Sequence, residues 1–167
     1  MAGEQNRGEL RQYLSETING PFHRLAEGVT SLGSNANPQE VTRTYINDKT
    51  TTSTTGFQWE WPVDGNIVDG DPVMDMLHEM AVHEAKGDDA LLYLLAVYMW
   101  QDGTAADSKK AYRQQVTWLP ASDGGGDGGG DVTFSGSLRG AGDRVHGEAV
   151  VTEATDTDPE TAVFTAE

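Results

Sequence analysis

Hydrophobic and polar positions fall along the chain in short blocks, and the period of each block predicts an element. Phe57-Gln58-Trp59-Glu60-Trp61-Pro62-Val63 alternates strictly, which puts Phe57, Trp59, Trp61 and Val63 on one face of a strand and makes the three aromatics candidate core. Pro62 has no ladder N–H, so the end of that strand belongs at an edge or a bulge. Leu91 to Trp100 is continuously apolar. That pattern suits a buried helix or a buried strand, and we read a central strand. Lys110 to Leu119 alternates loosely through Tyr112, Val116 and Trp118. Asp131–Leu138 and Arg144–Thr152 read as two further strands, separated by Gly140-Ala141-Gly142-Asp143, whose turn chemistry predicts a hairpin. Phe22 to Val29 reads as a first strand, Ser31 to Pro38 as a loop, and Ala162-Val163-Phe164 as a terminal strand that adds to this sheet or to a neighbour's.

A period of 3.6 governs two other blocks. Asp71 is a good N-cap, Pro72 suits the first helical position and Gly87 can close the C-terminus, so a helix is expected over about 71–86. Its apolar stripe is Val73, Met76, Leu77, Met80 and Ala81, with Asp75, Glu79 and His83 facing outward. Leu10, Tyr13, Leu14 and Ile18 also stand at helical spacing and predict a short amphipathic helix over Glu9–Ile18, ended by Gly20-Pro21. Val41 to Ile46 is rich in β-branched residues, and Lys49 to Gly56 is almost pure Thr and Ser. The latter has β propensity with nothing apolar to bury, the signature of a polar hairpin projecting from the domain within 41–63, or of a mobile loop. The fold class that results is mainly β (α+β): a sandwich- or barrel-forming sheet with one flanking helix and a long hairpin.

Composition narrows the picture. A length of 167 residues suits one domain spanning 1–167, with an acidic C-terminal extension at 153–167 that holds five acids and no base. There is no Cys, hence no disulfide framework, thiolate metal site or thiol nucleophile. Leu, Ile, Val and Phe together number 31, under a fifth of the chain, which predicts a lean core that gains stability from neighbouring subunits. The longest apolar run is half the length of a membrane-spanning helix and the N-terminus lacks a charged-then-apolar leader, so a soluble, non-exported protein is expected. Acidic residues outnumber basic ones 27 to 11, a net charge of −16 that opposes any surface gripping phosphates.

Candidate chemistry is sparse. His78 and His83 are five residues apart, roughly 140° around a helix, and cannot converge on one metal; His23 and His146 show no ligand spacing. The Gly124–Asp131 run lacks the Lys-Ser/Thr of a phosphate loop and the repeat of a calcium-binding β-roll. It reads as a flexible bulge between strands, with calcium binding by Asp123, Asp127 and Asp131 as the alternative. Trp59 and Trp61 suit a sugar platform as well as a core. No catalytic group, metal or cofactor is expected, and an acidic hydrolase has only the abundance of carboxylates in its favour.

The order of features is nevertheless distinctive. Asn37-Pro38 through Tyr45-Ile46-Asn47-Asp48, Thr54-Thr55, the alternating strand, Gly70-Asp71-Pro72-Val73-Met74-Asp75, a helix, an apolar strand and a Gly-Asp-Gly run before the final strands follow one another. Over about residues 20–152 this resembles the major tail protein, or tail tube protein, of long-tailed, siphovirus-like bacteriophages. The resemblance implies a virion protein, assembled in the host cytoplasm, that forms hexameric rings stacked into a tube. The tube would surround a tape-measure protein, end on tip and terminator proteins, and later pass genome DNA without binding it specifically or meeting a membrane. An acidic lumen suits that passage, because a polyanion is repelled at every wall. Stacking requires an element that reaches the next ring, and Lys49, Thr50, Thr51, Thr52, Ser53, Thr54 and Thr55 are the candidates for that contact. The alternative is a virion decoration or carbohydrate-binding β-domain.

Overall fold

Strand β7 (Leu91–Asp102) is apolar from Leu91 to Trp100 because both of its faces are buried over its first half, before it runs out to exposed Gln101 and Asp102. In the computed structural model, which describes residues 3–25, 27–47 and 49–167, Leu92 and Leu94 enter one hydrophobic cluster and Leu95 and Val97 another. Its flanking partners are β1 (Leu10–Ser15) and β8 (Ser108–Gly125), both antiparallel. The ladder continues from β8 to β9 (Thr133–Thr152), and from β1 to β2 (Phe22–Arg24) and β10 (Thr161–Ala166). Because β10 also pairs with β9, six strands close into an antiparallel barrel. Closure leaves the barrel no free edge.

The interior of that barrel holds Tyr13, Phe22, Leu95, Val97, Ala111, Ala149 and Ala162. A second layer grows from the long β8–β9 hairpin. The first half of β9 pairs with β6 (Glu60–Asn66), which pairs in turn with β3 (Val29–Leu32). Between this outer sheet and the barrel lies the larger core, built around Leu14, Leu92, Leu94, Trp61, Val63, Val116, Trp118 and Leu138. Gly136 of β9 lies so close against the Trp118 ring that a Cβ there would collide with it. Helix α1 (Pro72–Val82) covers the same core with Val73, Met74 and Leu77 buried and Met76 and Met80 packed beside them.

The N-cap of α1 is as expected: an Asp71 side-chain oxygen accepts from the Val73 and Met74 N–H groups at 3.0 and 2.9 Å. Burial nevertheless raises the Asp71 carboxyl above its ordinary range, against the pull of those two donors. The other end differs. Gly87 does not close the helix; Glu84, at φ 50°, takes the left-handed position. The Glu84 and Ala85 N–H groups reach back to the Ala81 and Met80 carbonyls at 3.2 and 3.0 Å, the paired bonds of a Schellman motif.

Three further expectations are corrected, and one open alternative is resolved. Glu9–Ile18 is not a helix: a single 3₁₀ turn (Arg7–Glu9) leads into β1, where adjacent Tyr13 and Leu14 are both fully buried on opposite faces. The expected first strand is split into β2 and β3, the chain turning at Gly28, whose φ of 73° and closeness to the Asn66 carbonyl admit no side chain. Gly140–Asp143 is not a hairpin turn. It lies inside the continuous strand β9, where four steps on β9, from Gly140 to Arg144, face two on β8, from Val116 to Gln114. The glycines therefore make a bulge at the point where β9 passes from the barrel to the outer sheet. Finally, the terminal strand β10 belongs to this chain's own barrel.

Candidate assembly surface

One element stands apart from both layers. Among the described residues, strands β4 (Pro38–Thr44) and β5 (Thr50–Phe57) pair only with each other, as a separate two-stranded sheet. The strands begin at Pro38, inside the segment expected as a loop, and the arm ends at Phe57, so it starts earlier than the expected 41–63 and stops short of its C-terminal end. Threonines face one another across it: Thr42 and Thr52 hydroxyls are 3.1 Å apart, Thr44 and Thr50 3.2 Å. The turn is closed by the Tyr45 N–H on the Lys49 carbonyl at 2.9 Å; Asp48 lies outside the described residues. Lys49, Thr50, Thr51, Thr52, Ser53, Thr54 and Thr55 are all exposed, as are Val41, Tyr45 and Ile46. The arm thus offers the unpaired outer edges of two strands, polar side chains along most of its length and a small apolar tip.

The root of the arm is strongly built. Asn35 and Glu60 exchange backbone bonds of 2.8 and 2.9 Å, and the Gly140 N–H donates to the Trp59 carbonyl at 2.8 Å. Phe57, Trp59 and Trp61 form a stacked row with ring centroids about 6 Å apart, at 6.2 and 6.1 Å. Their environments diverge. Trp61 is fully buried and Trp59 packs against the core, but Phe57 is 62 % exposed and is not a core residue, because it still belongs to the arm when the chain turns into β6. The Arg144 guanidinium lies 3.6 Å over the Trp59 ring and 4.1 Å from that of Tyr112. Burial pushes the Tyr112 hydroxyl up to about 12, against the opposing pull of Arg144. Gln114, buried on β8, accepts from Arg144 Nε at 3.0 Å and donates to the Gly142 carbonyl of the bulge at 2.8 Å.

The outward face of the outer sheet is mostly polar, with Ser31 of β3, Asp64 of β6 and Ser135 and Ser137 of β9 beside a small apolar patch of Pro62 and Leu119. Arg139 on this face is paired with Glu60 at 3.3 Å. The β8–β9 tip adds exposed Asp123, Asp127 and Asp131. Among the described residues no group of His, Asp and Glu side chains is arranged to hold a metal ion. No described helix is long and apolar enough to cross a membrane.

Two buried carboxylates escaped the sequence reading. Glu160, at the seam between β10 and β2, accepts from the Tyr13 hydroxyl at 2.6 Å and pairs with Arg24 at 2.8 Å and Arg11 at 3.0 Å. Burial alone would raise its carboxyl; Tyr13, Arg24 and Arg11 reverse this and hold it below the ordinary range. Glu148 accepts from the Ser108 hydroxyl at 2.6 Å, from the Thr104 hydroxyl and N–H, and from the Ala105 N–H, which fastens the β7–β8 turn. Those donors, Ser108 and Thr104 foremost, depress the carboxyl to about 2. Both groups are spent on structure. An open cleft of about 260 Å³ between β2 and α1 carries three acids, Glu27, Asp71 and Glu160. Asp71 there is occupied as a helix cap and Glu160 as the barrel clasp.

These features define a barrel domain with an outer sheet and a detached arm, and similar domains occur in known particles. No protein-family model matches the chain, and no curated protein matches it in sequence. Among solved structures, a chain in the virion of a native gene transfer agent particle is 14 % identical with a TM-score of 0.57, covering 86 % of this chain and 98 % of that one. A chain in the tail of the empty gene transfer agent particle, refined with helical C6 symmetry, is 16 % identical with a TM-score of 0.56, covering 84 % and 97 %. A chain in the six-fold symmetrised baseplate of the anti-feeding prophage gives 8 % identity and a TM-score of 0.50 over 87 % and 97 %. The protein shares its fold with these chains of a virion, a tail and a baseplate.

Proposed function

We propose that this protein is the tail-tube subunit of a phage-like particle: a structural, non-enzymatic chain that forms hexameric rings, stacks them through the β4–β5 arm and encloses a conduit for nucleic acid. The observation that carries the reading is the arm, fully exposed and with both outer edges unpaired, on a fold shared with a component of a C6-symmetric tail. An isolated two-stranded hairpin is marginal in water, so a partner strand from another copy supplies what the arm lacks by completing its backbone ladder. The polar outward face of the outer sheet is the best lining for the conduit. Its short hydroxyls and acids repel or ignore a polyanion, and its Arg139 is neutralised by Glu60. By the same analogy the tube surrounds a tape-measure protein and meets tip and terminator proteins, in a virion assembled in the host cytoplasm.

The carbohydrate-binding reading loses its platform here, since Trp61 is buried and Trp59 is stacked under Arg144. Negative-stain electron microscopy of the concentrated protein, beside a sizing column, tests the proposal: hollow rods or rings are expected. A chain that stays monomeric under every salt condition would move the reading to a decoration domain. Deleting Lys49–Thr55 should leave a soluble, folded monomer that forms no tubes, and normal tubes from that deletion would refute the stacking role of the arm.

A further inference from the structure

Beside the Asn35–Glu60 exchange, the fixings of the arm root converge on the β9 bulge. The Trp59 carbonyl accepts from Gly140, Gln114 bridges Arg144 to the Gly142 carbonyl, and Arg144 lies between the Trp59 and Tyr112 rings. Through the stacked row of Phe57, Trp59 and Trp61 the same ring is continuous with the last residue of the arm on one side and the buried core on the other. A buried η nitrogen of Arg144 has no hydrogen-bond partner among the described residues. The Nε–H of Arg144 is spent on Gln114, and what an arginine adds beyond that bond is a flat cation between two rings.

The geometry of the arm makes its angle matter. β4 has seven residues, so at a rise of ~3.4 Å per residue the tip stands about 24 Å from the root. A swing of ~10° moves that tip by about 4 Å, close to the ~4.8 Å spacing between paired strands. A loosely hinged arm would miss the register of any strand it is meant to join.

We propose that Arg144 is a positioning residue that aims the arm, clamping Trp59 against Tyr112 so that the arm presents its edges to a second copy of this chain at one fixed angle. The β9 bulge exists in this view to bring Arg144 to the arm root. The proposal rests on the arm being the contact between rings.

The chain contains no Cys, so Thr52→Cys on the arm and Thr165→Cys on β10 give two clean sites for spin labels. Pulsed electron–electron resonance on the full-length chain, at concentrations below tube growth, reads the arm-to-barrel distance directly. With Arg144 intact a single narrow distribution is expected. Arg144→Met should widen it at least twofold, and Arg144→Lys, which keeps the charge and loses the plane, should widen it nearly as much. Both variants should melt within a few degrees of the parent and lose at least tenfold in tube yield. An unchanged distribution in Arg144→Met, full rescue by Arg144→Lys, or a widened distribution with normal tube yield would each overturn the proposal. The Lys49–Thr55 deletion separates the two ideas: tubes that survive it remove the stacking role, while the distance measurement on the monomer still judges the clamp.

Discussion

Strands β7 and β4 are paired in antiparallel ladders of the same kind, yet β7 buries Leu92, Leu94, Leu95, Ala96 and Val97 while β4 buries none of its seven residues. The barrel around β7 deals with strand edges by closing on itself, so its backbone ladder is completed within one chain. The arm leaves its edges open and spends threonine pairs, not apolar area, on holding its two strands together. Stability is therefore stored in the body, the proposed function places association in the arm, and changes to the two regions should fall on different measurements.

The largest separation should come from the core. Leu94→Ala, at a fully buried site between the barrel and the outer sheet, is expected to cost about 2–5 kcal/mol in urea unfolding. A loss under about 1 kcal/mol would mean that the two-layer core is not where stability lies. Asp71→Ala removes the cap of α1 and should cost about 1 kcal/mol, again in the monomer and without effect on arm order measured by spin labels.

Acid should reach the body before the arm. The Glu148 carboxyl sits at about 2 in the folded chain against an ordinary 4.5, so its stabilisation is complete above about 4.5, shrinks as pH falls through that interval and is gone below about 2. The melting temperatures of the parent and Glu148→Gln should differ at neutral pH and converge toward pH ~2; a gap that persists at the acid end would show that the lost contact is not electrostatic. Smallest of all, Thr52→Ala should change monomer stability by less than about 0.5 kcal/mol. A larger loss would mean that the arm packs on the body and is not a free element.

Features that depend on neighbours in sequence were legible from the residues alone. Asp71-Pro72 announces a helix start because capping is a contact between residues two or three apart. The Thr-rich stretch and the apolar run Leu91–Trp100 favour β structure through side-chain shape, with a loop and a buried helix as the alternatives, and both are strands. The outward placement of Asp75, Glu79 and His83 follows from helical period alone.

What failed depends on partners far along the chain. Leu10, Tyr13 and Leu14 satisfy a helical stripe equally well, and only a sheet with cores on both faces makes β1 a strand with adjacent buried residues. Gly140–Asp143 has the composition of a turn, but a glycine pair cannot say whether the chain reverses or bulges; β8 running alongside without interruption decides it. Phe57 obeys the alternation of Trp59 and Trp61 and still faces solvent, because the arm ends between them. Arg144, Glu148 and Glu160 carry no local mark. Their partners, Trp59, Ser108, Tyr13 and Arg24, lie 85, 40, 147 and 136 residues away. Local propensity can select a strand, a cap or a turn-former, but which edges meet, and which charges are enclosed when they do, is settled only when the barrel closes.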